Sequence, residues 1–296
     1  MQNFISETCL GVMSGTSLDG LDLCLVSFSN KNERWEYTIH KTQTIEYNDF
    51  IKEELANVEK MNALDFCYYH NEFGRFIGNS VKLFLDGVSV RPSFISSHGH
   101  TIFHQPHNNL TVQIGSGASI AAVTGVTTIC DFRTLDVAAG GQGAPLVPIG
   151  DHILFGEYDF CLNLGGFANI SMVNNNRRIA YDICPVNIAL NKYCRSIGYD
   201  YDADGEFARA GTCNYELLTS LNSLGFYANS FPKSLGKEWL IDCFLPVIDE
   251  CCLEVNDILR TIVEHISDQV AKCIDKNGNV LVTGGGAHNS FLIERI

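Results

Sequence analysis

The segment from Gly11 to Asp22 carries residue types that can hold a phosphate group. Glycines let backbone N–H groups approach an anion, and the hydroxyl groups of Ser14 and its neighbours add donors. Carboxylates near bound phosphates usually act through Mg²⁺ or water. No Gly-Lys-Ser/Thr follows, so this is not a Walker loop. A tight turn without a ligand uses the same residue types, and for this segment alone that alternative stays open. The candidate nucleotide-binding residues here are Gly15, Thr16, Ser17, Asp19, Gly20 and Asp22.

Two further turns are also rich in glycine. Gly165, Gly166 and Asn169 lie between two apolar runs, as the first segment does. Gly284, Gly285 and Gly286 follow the apolar run 280–283 and precede a helical pattern. Three adjacent glycines leave room for a base or ribose to lie on the backbone. Together, the three turns favour nucleotide binding by an ATPase of the actin or sugar-kinase type.

The elements that must position these turns recur in the two halves of the chain. Residues 8–12, 21–28 and 35–46 are predicted strands, and 61–85 has apolar residues at helical spacing. Residues 160–164, 168–173 and 178–183 repeat the three strands, and 186–197 repeats the helix. The pattern predicts two ribonuclease H-like α/β domains of the actin/hexokinase type, with mixed sheets flanked by helices around an ATP cleft. We place them at residues 1–135 and 136–296.

Composition excludes several classes of protein. The 296 residues carry a formal net charge of −14, and Arg177-Arg178 is the only basic pair, which argues against nucleic-acid and anionic-membrane partners. Residues 1–7 do not have the pattern of a leader, and no apolar run approaches membrane-spanning length. We therefore expect a soluble, cytoplasmic protein. The twelve cysteines form no Cys-x-x-Cys pair, so we expect reduced thiols and no metal site.

Several motifs closely resemble the anhydro-N-acetylmuramic acid kinases of bacteria. The resemblance extends over nearly the whole chain, and the motif Asp131 to Pro148 is its most specific part. The matching segments are Gly11 to Asp22, His98 to His104, Gln113 to Gly115, Asp131 to Pro148, Asn163 to Ser171 and Gly284 to Asn289.

The resemblance implies a two-domain fold of the sugar kinase, Hsp70 and actin superfamily. It implies that ATP, with Mg²⁺, and water open the 1,6-anhydro ring of anhydro-N-acetylmuramic acid and phosphorylate O6. The product is N-acetylmuramic acid 6-phosphate, formed during recycling of cell-wall fragments. It also implies a homodimer and a C-terminal segment beyond Ile296 that returns to the first domain.

Asp182 resembles the catalytic aspartate of the family. A single carboxylate between sugar and phosphate can activate the water, and Asp182 ends a predicted strand just after the second turn. The alternative is that Asp182 caps the helix beginning near Val186. The family usually reads Asp-Thr-Gly-Pro-Gly-Asn where this chain has Asp-Ile-Cys-Pro-Val-Asn at 182–187, a difference that could alter activity or substrate.

Four residues are candidate sugar contacts. Arg133 offers fixed donors, and Asp136 accepts from hydroxyl or amide groups, although the two could simply pair with each other. His98 and His104 could line the same pocket or be structural.

Two other functional classes stay open on the sequence. An ATP-switched binding protein of the actin or Hsp70 type needs the same turns but no sugar pocket. A glycoside hydrolase needs a second carboxylate and no nucleotide, so the three glycine-rich turns argue against it. A related sugar kinase with an altered substrate is the remaining alternative.

Overall fold

The chain divides into two compact units, Met1–Leu146 and Val147–Ile296. The computed structural model describes residues 5–16, 18–31, 34–175, 177–274 and 277–296. The predicted boundary at 135/136 falls inside a short helix, Thr134–Ala138, whose Val137 is buried. That helix belongs to the first unit. The functional roles assigned to the two predicted domains stay predictions.

Unit 1 contains a mixed sheet with the strand order β3-β2-β1-β4-β5, and β6 pairs with the other half of β4. The first three strands form an antiparallel meander, and β4 lies parallel to β1. The strands are β1 (Ile5–Ser14), β2 (Gly20–Lys31), β3 (Arg34–Glu46), β4 (Phe94–Gln105), β5 (Leu110–Ile114) and β6 (Thr128–Cys130). The helices of this unit are α1 (Asp49–Asn57), α2 (Ala63–Phe84), α3 (Gly117–Thr124) and α4 (Thr134–Ala138).

Helix α2 connects the meander to β4 and covers one face of the sheet. The side chain of Asn62 caps its first turn by accepting hydrogen bonds from the N–H groups of Leu64 and Asp65, both at 3.0 Å. Phe73, Ile77 and other apolar residues at helical spacing pack against the buried residues of β1 and β2. This packing defines which sheet face is the core of unit 1.

Unit 2 repeats the plan with the strand order β10-β7-β8-β9. The strands β7 (Phe160–Leu164), β8 (Phe167–Asn174) and β9 (Arg177–Pro185) form the meander, and β10 (Val280–Thr283) lies parallel to β7. The helices are α5 (Val147–Leu154), α6 (Asn187–Ser196), α7 (Glu206–Ala210), α8 (Tyr215–Asn222), α9 (Lys237–Trp239), α10 (Leu245–Asp249), α11 (Val255–Cys273) and α12 (Ser290–Arg295).

The two meanders confirm the predicted fold class, two α/β domains with mixed sheets flanked by helices. Two strands run further than the sequence pattern indicates. β4 continues past the predicted end at Ser97, because residues 100–105 pair with β5, so His98 and His104 are strand residues. β9 continues to Pro185, which places Asp182 inside the strand. Among the described residues, none of the helices combines the length and apolar character needed to span a bilayer.

His265 lies in the core of unit 2 with no exposed surface. Its Nδ1 donates to Asn222 Oδ1 at 2.7 Å, and its Nε2 accepts from the hydroxyl of Tyr227 at 2.8 Å. Burial lowers the pKa of His265 to about 3, and the charge of Lys272 acts in the same direction. Both bonds require the neutral imidazole, because Nε2 must accept.

We expect His265 to make unit 2 sensitive to acid. The unfolded chain binds a proton near pH 6.5 and the folded chain does not, so stability is lost as the pH falls below 6.5. Between pH 6.5 and pH 5 the loss should be about 2 kcal/mol. Urea unfolding of the wild type and of His265→Asn at both pH values measures it.

The variant should be less stable at pH 6.5 and should lack this part of the pH dependence. His152→Asn, which changes an exposed histidine on α5, is the control and should behave as the wild type. An equal loss of stability on acidification in His265→Asn and in the wild type would contradict the assignment.

Candidate functional site

The first phosphate segment is the turn that joins β1 to β2. Leu18 N donates to Gly15 O at 3.2 Å, and Ser14 pairs with Leu21 across the hairpin. Gly20 is buried, and a side chain there would collide with the carbonyl group of Ile45 on β3. Thr16, Asp19 and Asp22 are exposed, whereas Ser17 lies outside the described residues. The turn therefore presents hydroxyl and carboxylate groups to solvent.

Ser14 does not belong to this exposed set, and the expectation that its hydroxyl adds a phosphate donor is wrong. It is 1% exposed, and its Oγ accepts from the hydroxyl of Tyr47 at 2.6 Å and contacts His100 Nδ1 at 2.8 Å. Burial raises the pKa of Tyr47 to about 12, although its bond to Ser14 lowers it. These three buried groups fix the end of β1 just before the turn. These contacts could not be predicted from the sequence, because Ser14, Tyr47 and His100 are far apart along the chain and only the pairing of strands brings them together.

Asp22 and His98 line one pocket of about 520 Å³ on the face of the unit 1 sheet opposite its core. Asp22 Oδ1 accepts from Thr44 Oγ1 at 2.6 Å, which orients the carboxylate. The remaining lining residues are Gly11, Val12, Met13, Leu23, Cys24, Thr42, Gln43, Thr44, Ser96, Phe132 and Leu146.

Arg133 and His98 form a direct contact. Arg133 Nε donates to His98 Nε2 at 2.9 Å, and His98 Nδ1 donates to the carbonyl oxygen of Gly99 at 3.0 Å. Burial lowers the pKa of His98, and the charge of Arg133 lowers it further. His98 is therefore neutral at pH 7, with its proton on Nδ1.

His104 lies further along β4, where its Nδ1 is 3.2 Å from Thr111 Oγ1. Partial burial lowers its pKa, and the charge of Arg133 lowers it as well. The structure thus brings Arg133 near both histidines.

Arg133 and Asp136 do not pair with each other. Arg133 Nη1 donates to the carbonyl oxygen of Gly143 at 2.7 Å, and Asp136 Oδ2 accepts from the N–H of Gly143 at 2.6 Å. The two side chains hold both polar groups of one residue in the glycine-rich loop between α4 and α5. This loop anchor was not predicted, because the spacing of 133, 136 and 143 has no local signature.

In unit 2 the second and third turns come together. The carbonyl oxygens of Gly165 and Gly166 accept from the N–H groups of Asn187 and Val186 at 3.2 and 2.8 Å. Asn187 Nδ2 also donates to Gly165 O at 2.9 Å. Gly284 has φ +82°, and a side chain there would collide with the amide of Asn163 and the backbone of Leu164. Only glycine fits this close approach, so the two glycine-rich turns pack directly against each other.

Asp182 accepts from the N–H of Leu235 at 2.8 Å through Oδ2. Burial raises the pKa of Asp182, and the bond from Leu235 opposes that shift. The alternative that Asp182 caps α6 is wrong, because α6 has no side-chain cap and its first N–H groups bond to the second turn. Asp182 is a partly desolvated carboxylate, which is the environment of a general base.

Strand register places Asp182 in a polar row across the sheet of unit 2. Thr283 pairs with Asn163, Asn163 with Asn169, and Asn169 with Asp182. Paired residues share a sheet face, so the four side chains lie side by side. Asn163 and Thr283 were not predicted as site residues. The sequence did offer one signal, because Asn163 and Asn169 stand three residues before and three residues after Gly166.

The described residues contain no group of three or more His, Cys, Asp and Glu side chains arranged to hold a metal ion.

Comparisons with a family model and with known proteins give the same family. A family model described as anhydro-N-acetylmuramic acid kinase matches residues 7–296. The chain is 34% identical over 314 residues to the anhydro-N-acetylmuramic acid kinase of Hydrogenovibrio crunogenus, covering 100% of this chain and 84% of that protein. It is 35% identical to the kinase of that name from Vibrio cholerae, with coverages of 98% and 82%. The kinase of that name from Pseudomonas putida is 34% identical, with coverages of 97% and 82%.

Among solved structures, the chain resembles an activator of 2-hydroxyisocaproyl-CoA dehydratase from Clostridium difficile with bound ADPNP. The TM-score is 0.42 at 12% identity, with coverages of 99% and 84%.

Asp136→Ala should loosen the loop between α4 and α5, because the N–H of Gly143 loses its acceptor. We expect hydrogen exchange in peptides covering 139–146 to accelerate about fivefold or more, since the free energy of opening falls by about 1–3 kcal/mol. Asp131→Ala is the matched control, because Asp131 bonds to Thr134 and not to the loop. Unchanged exchange in Asp136→Ala would show that Asp136 does not anchor the loop.

Proposed function

The chain belongs to the anhydro-N-acetylmuramic acid kinase family and is a carbohydrate kinase, and on that premise we propose its reaction. ATP and water open the 1,6-anhydro ring of anhydro-N-acetylmuramic acid, and O6 is phosphorylated to give N-acetylmuramic acid 6-phosphate. The observation that carries this proposal is the half-buried carboxylate of Asp182, which lies in one row with the amides of Asn163 and Asn169 on either side of the second turn.

Asp182 acts as the general base in this proposal. Its carboxylate takes a proton from water as the water oxygen bonds to C1 and the bond between C1 and O6 breaks. O6 then attacks the γ-phosphorus of ATP, the bond from that phosphorus to the β–γ bridging oxygen breaks, and ADP leaves. The raised pKa makes the carboxylate of Asp182 a stronger base than that of an exposed aspartate. The N–H of Leu235 orients Oδ2 and leaves Oδ1 to accept the proton.

The residues around the turns fit a nucleotide. In unit 2 the half-buried amides of Asn163 and Asn169 lie on either side of the second turn. In unit 1 the exposed carboxylates of Asp19 and Asp22 would hold Mg²⁺ through water. The proposed nucleotide-binding residues are Gly15, Thr16, Ser17, Asp19, Gly20, Asp22, Gly165, Gly166, Asn169, Gly284, Gly285 and Gly286.

Arg133 is the proposed anchor for the sugar. Its Nε and Nη1 bond to His98 and Gly143, which leaves Nη2 without a partner among the described residues. The muramic acid substrate carries a carboxylate, for which a fixed guanidinium donor is well suited. His98, His104 and Asp136 complete the proposed sugar contacts, with Asp136 acting through the loop that it holds.

The residues beside Asp182 that depart from the usual family motif lie in the core. Ile183, Cys184 and Val186 are all buried in unit 2, at most 2% exposed. A homodimer and a cytoplasmic location remain part of the proposal.

Asp182→Asn should abolish turnover. The amide still accepts from Leu235 but cannot take a proton, so sugar-dependent ADP release should fall at least about 10²–10⁴-fold. The measurement is ADP release with ATP, Mg²⁺ and anhydro-N-acetylmuramic acid. Asp200→Asn, which changes an exposed aspartate of unit 2, is the control. Turnover within a few-fold of the wild type in Asp182→Asn would rule out this base.

A further inference from the structure

Strand β9 forms one edge of the sheet in unit 2. An edge strand has an open side, where its backbone N–H and C=O groups need other partners. Residues 229–236 connect the helical turn Gly225–Ala228 to α9 and bond to β9. We call these residues the edge segment. They are all described and lie outside every helix and strand, so individual contacts determine where the segment lies.

Two hydrogen bonds from the edge segment end on a single residue of β9, Asp182. The N–H of Asp182 donates to the carbonyl oxygen of Lys233 at 3.1 Å, and the N–H of Leu235 donates to Asp182 Oδ2 at 2.8 Å. A parallel strand would make the first bond in the same way, but its second N–H would bond to the backbone carbonyl of residue 182. Here the carboxylate takes that bond. The edge segment thus holds both the backbone and the side chain of Asp182.

Two side-chain contacts hold the edge segment in this place. The ring of Phe231 stacks on the ring of Tyr181, with centroids 5.5 Å apart and an angle of 12° between the planes. Tyr181 belongs to the core of unit 2. The Nζ of Lys233 lies 4.6 Å from the centroid of the buried Phe226 ring, as in a cation–π contact. Both contacts lie within four residues of the N–H that binds the carboxylate.

We propose that Phe231 and Lys233 are positioning residues for the general base, and that they act by holding the edge segment against Asp182. The inference rests on the proposed function, because the role of Asp182 as base belongs to it. It adds two residues that act through Asp182 and not on the reacting atoms.

The direction of the carboxylate is what these contacts control. A displacement of about 1 Å at a reacting group can cost about 100-fold in rate. When the edge segment moves away, Asp182 loses the bond to Oδ2, and its carboxylate can rotate about the bond between Cβ and Cγ. Phe231 is 46% exposed, so its removal should loosen the segment without unfolding the core.

Hydrogen exchange measures the contact between the edge segment and Asp182 without any substrate. In Phe231→Ala, exchange in peptides covering 180–183 and 233–236 should accelerate about fivefold or more. The reason is that the N–H groups of Asp182 and Leu235 separate from their acceptors more often.

Conservative variants and a matched control separate this effect from a general loss of stability. Lys233→Ala should accelerate exchange in the same peptides, whereas Phe231→Tyr and Lys233→Arg keep the ring contacts and should exchange as the wild type does. Tyr215→Ala, which removes a more exposed aromatic ring on α8, should also leave these peptides unchanged. Thermal unfolding of every variant checks the fold.

Steady-state kinetics of sugar-dependent ADP release test the consequence for the base. In Phe231→Ala, kcat should fall about tenfold or more while KM for ATP and for the sugar stays within about twofold, because the base is misaligned and the substrates still bind. Phe231→Tyr should restore kcat. A loss that came only from unfolded protein would follow the thermal stability of the variants and would not be restored in this way.

Each outcome decides for or against the positioning role. Faster exchange in Phe231→Ala together with an unchanged kcat, or unchanged exchange in both alanine variants, would overturn it, and sugar-dependent ADP release by the wild type would still support the proposed function. A wild type without such turnover would overturn both proposals, and faster exchange would then show a structural contact alone.

Discussion

The pairing of β8 with β7 and with β9 is the constraint on which the proposed chemistry depends. It aligns Asn163, Asn169 and Asp182 on one face of the sheet. Side chains alternate between the faces of a strand, so a slip of β9 by one residue would turn Asp182 away from the row. The turn at Gly165-Gly166 sets the first pairing, and its carbonyl groups also bind the start of α6. One short turn thus fixes the base, the amides and the helix that packs behind them.

Unit 1 contains the same three-strand meander, but its polar side chains are arranged differently. The buried side chain of Ser14, at the end of β1, bonds to Tyr47 and to His100 and so fixes the start of the hairpin turn. The polar groups that we propose as its sugar contacts come instead from β4 and from Arg133, which bonds to His98 and to the loop at Gly143. In the proposed function, unit 2 supplies the general base, whereas unit 1 supplies the sugar anchor.

Much of this arrangement could be predicted from the sequence, because it is encoded locally. The two meanders follow from apolar runs and turn residues, and Asp182 and Arg133 follow from motifs that resemble a known family. The Ser14 network and the two bonds of Arg133 and Asp136 to Gly143 could not be predicted, since they join residues distant in sequence or without a spacing rule. The position of His98 and His104 within a strand could not be predicted from the sequence either. Polar residues interrupt the apolar pattern of β4, and only the pairing with β5 reveals it.

The most direct test of the account is to run the reaction with ATP and anhydro-N-acetylmuramic acid in ¹⁸O-labelled water and to locate the label by mass spectrometry. If a water activated by Asp182 attacks C1 while O6 accepts the phosphoryl group, early product should carry one ¹⁸O at the C1 hydroxyl. The phosphate on O6 should carry no ¹⁸O. Label released in inorganic phosphate, with the anhydro sugar unchanged, would contradict the account, because it would show that water attacks ATP and not the sugar.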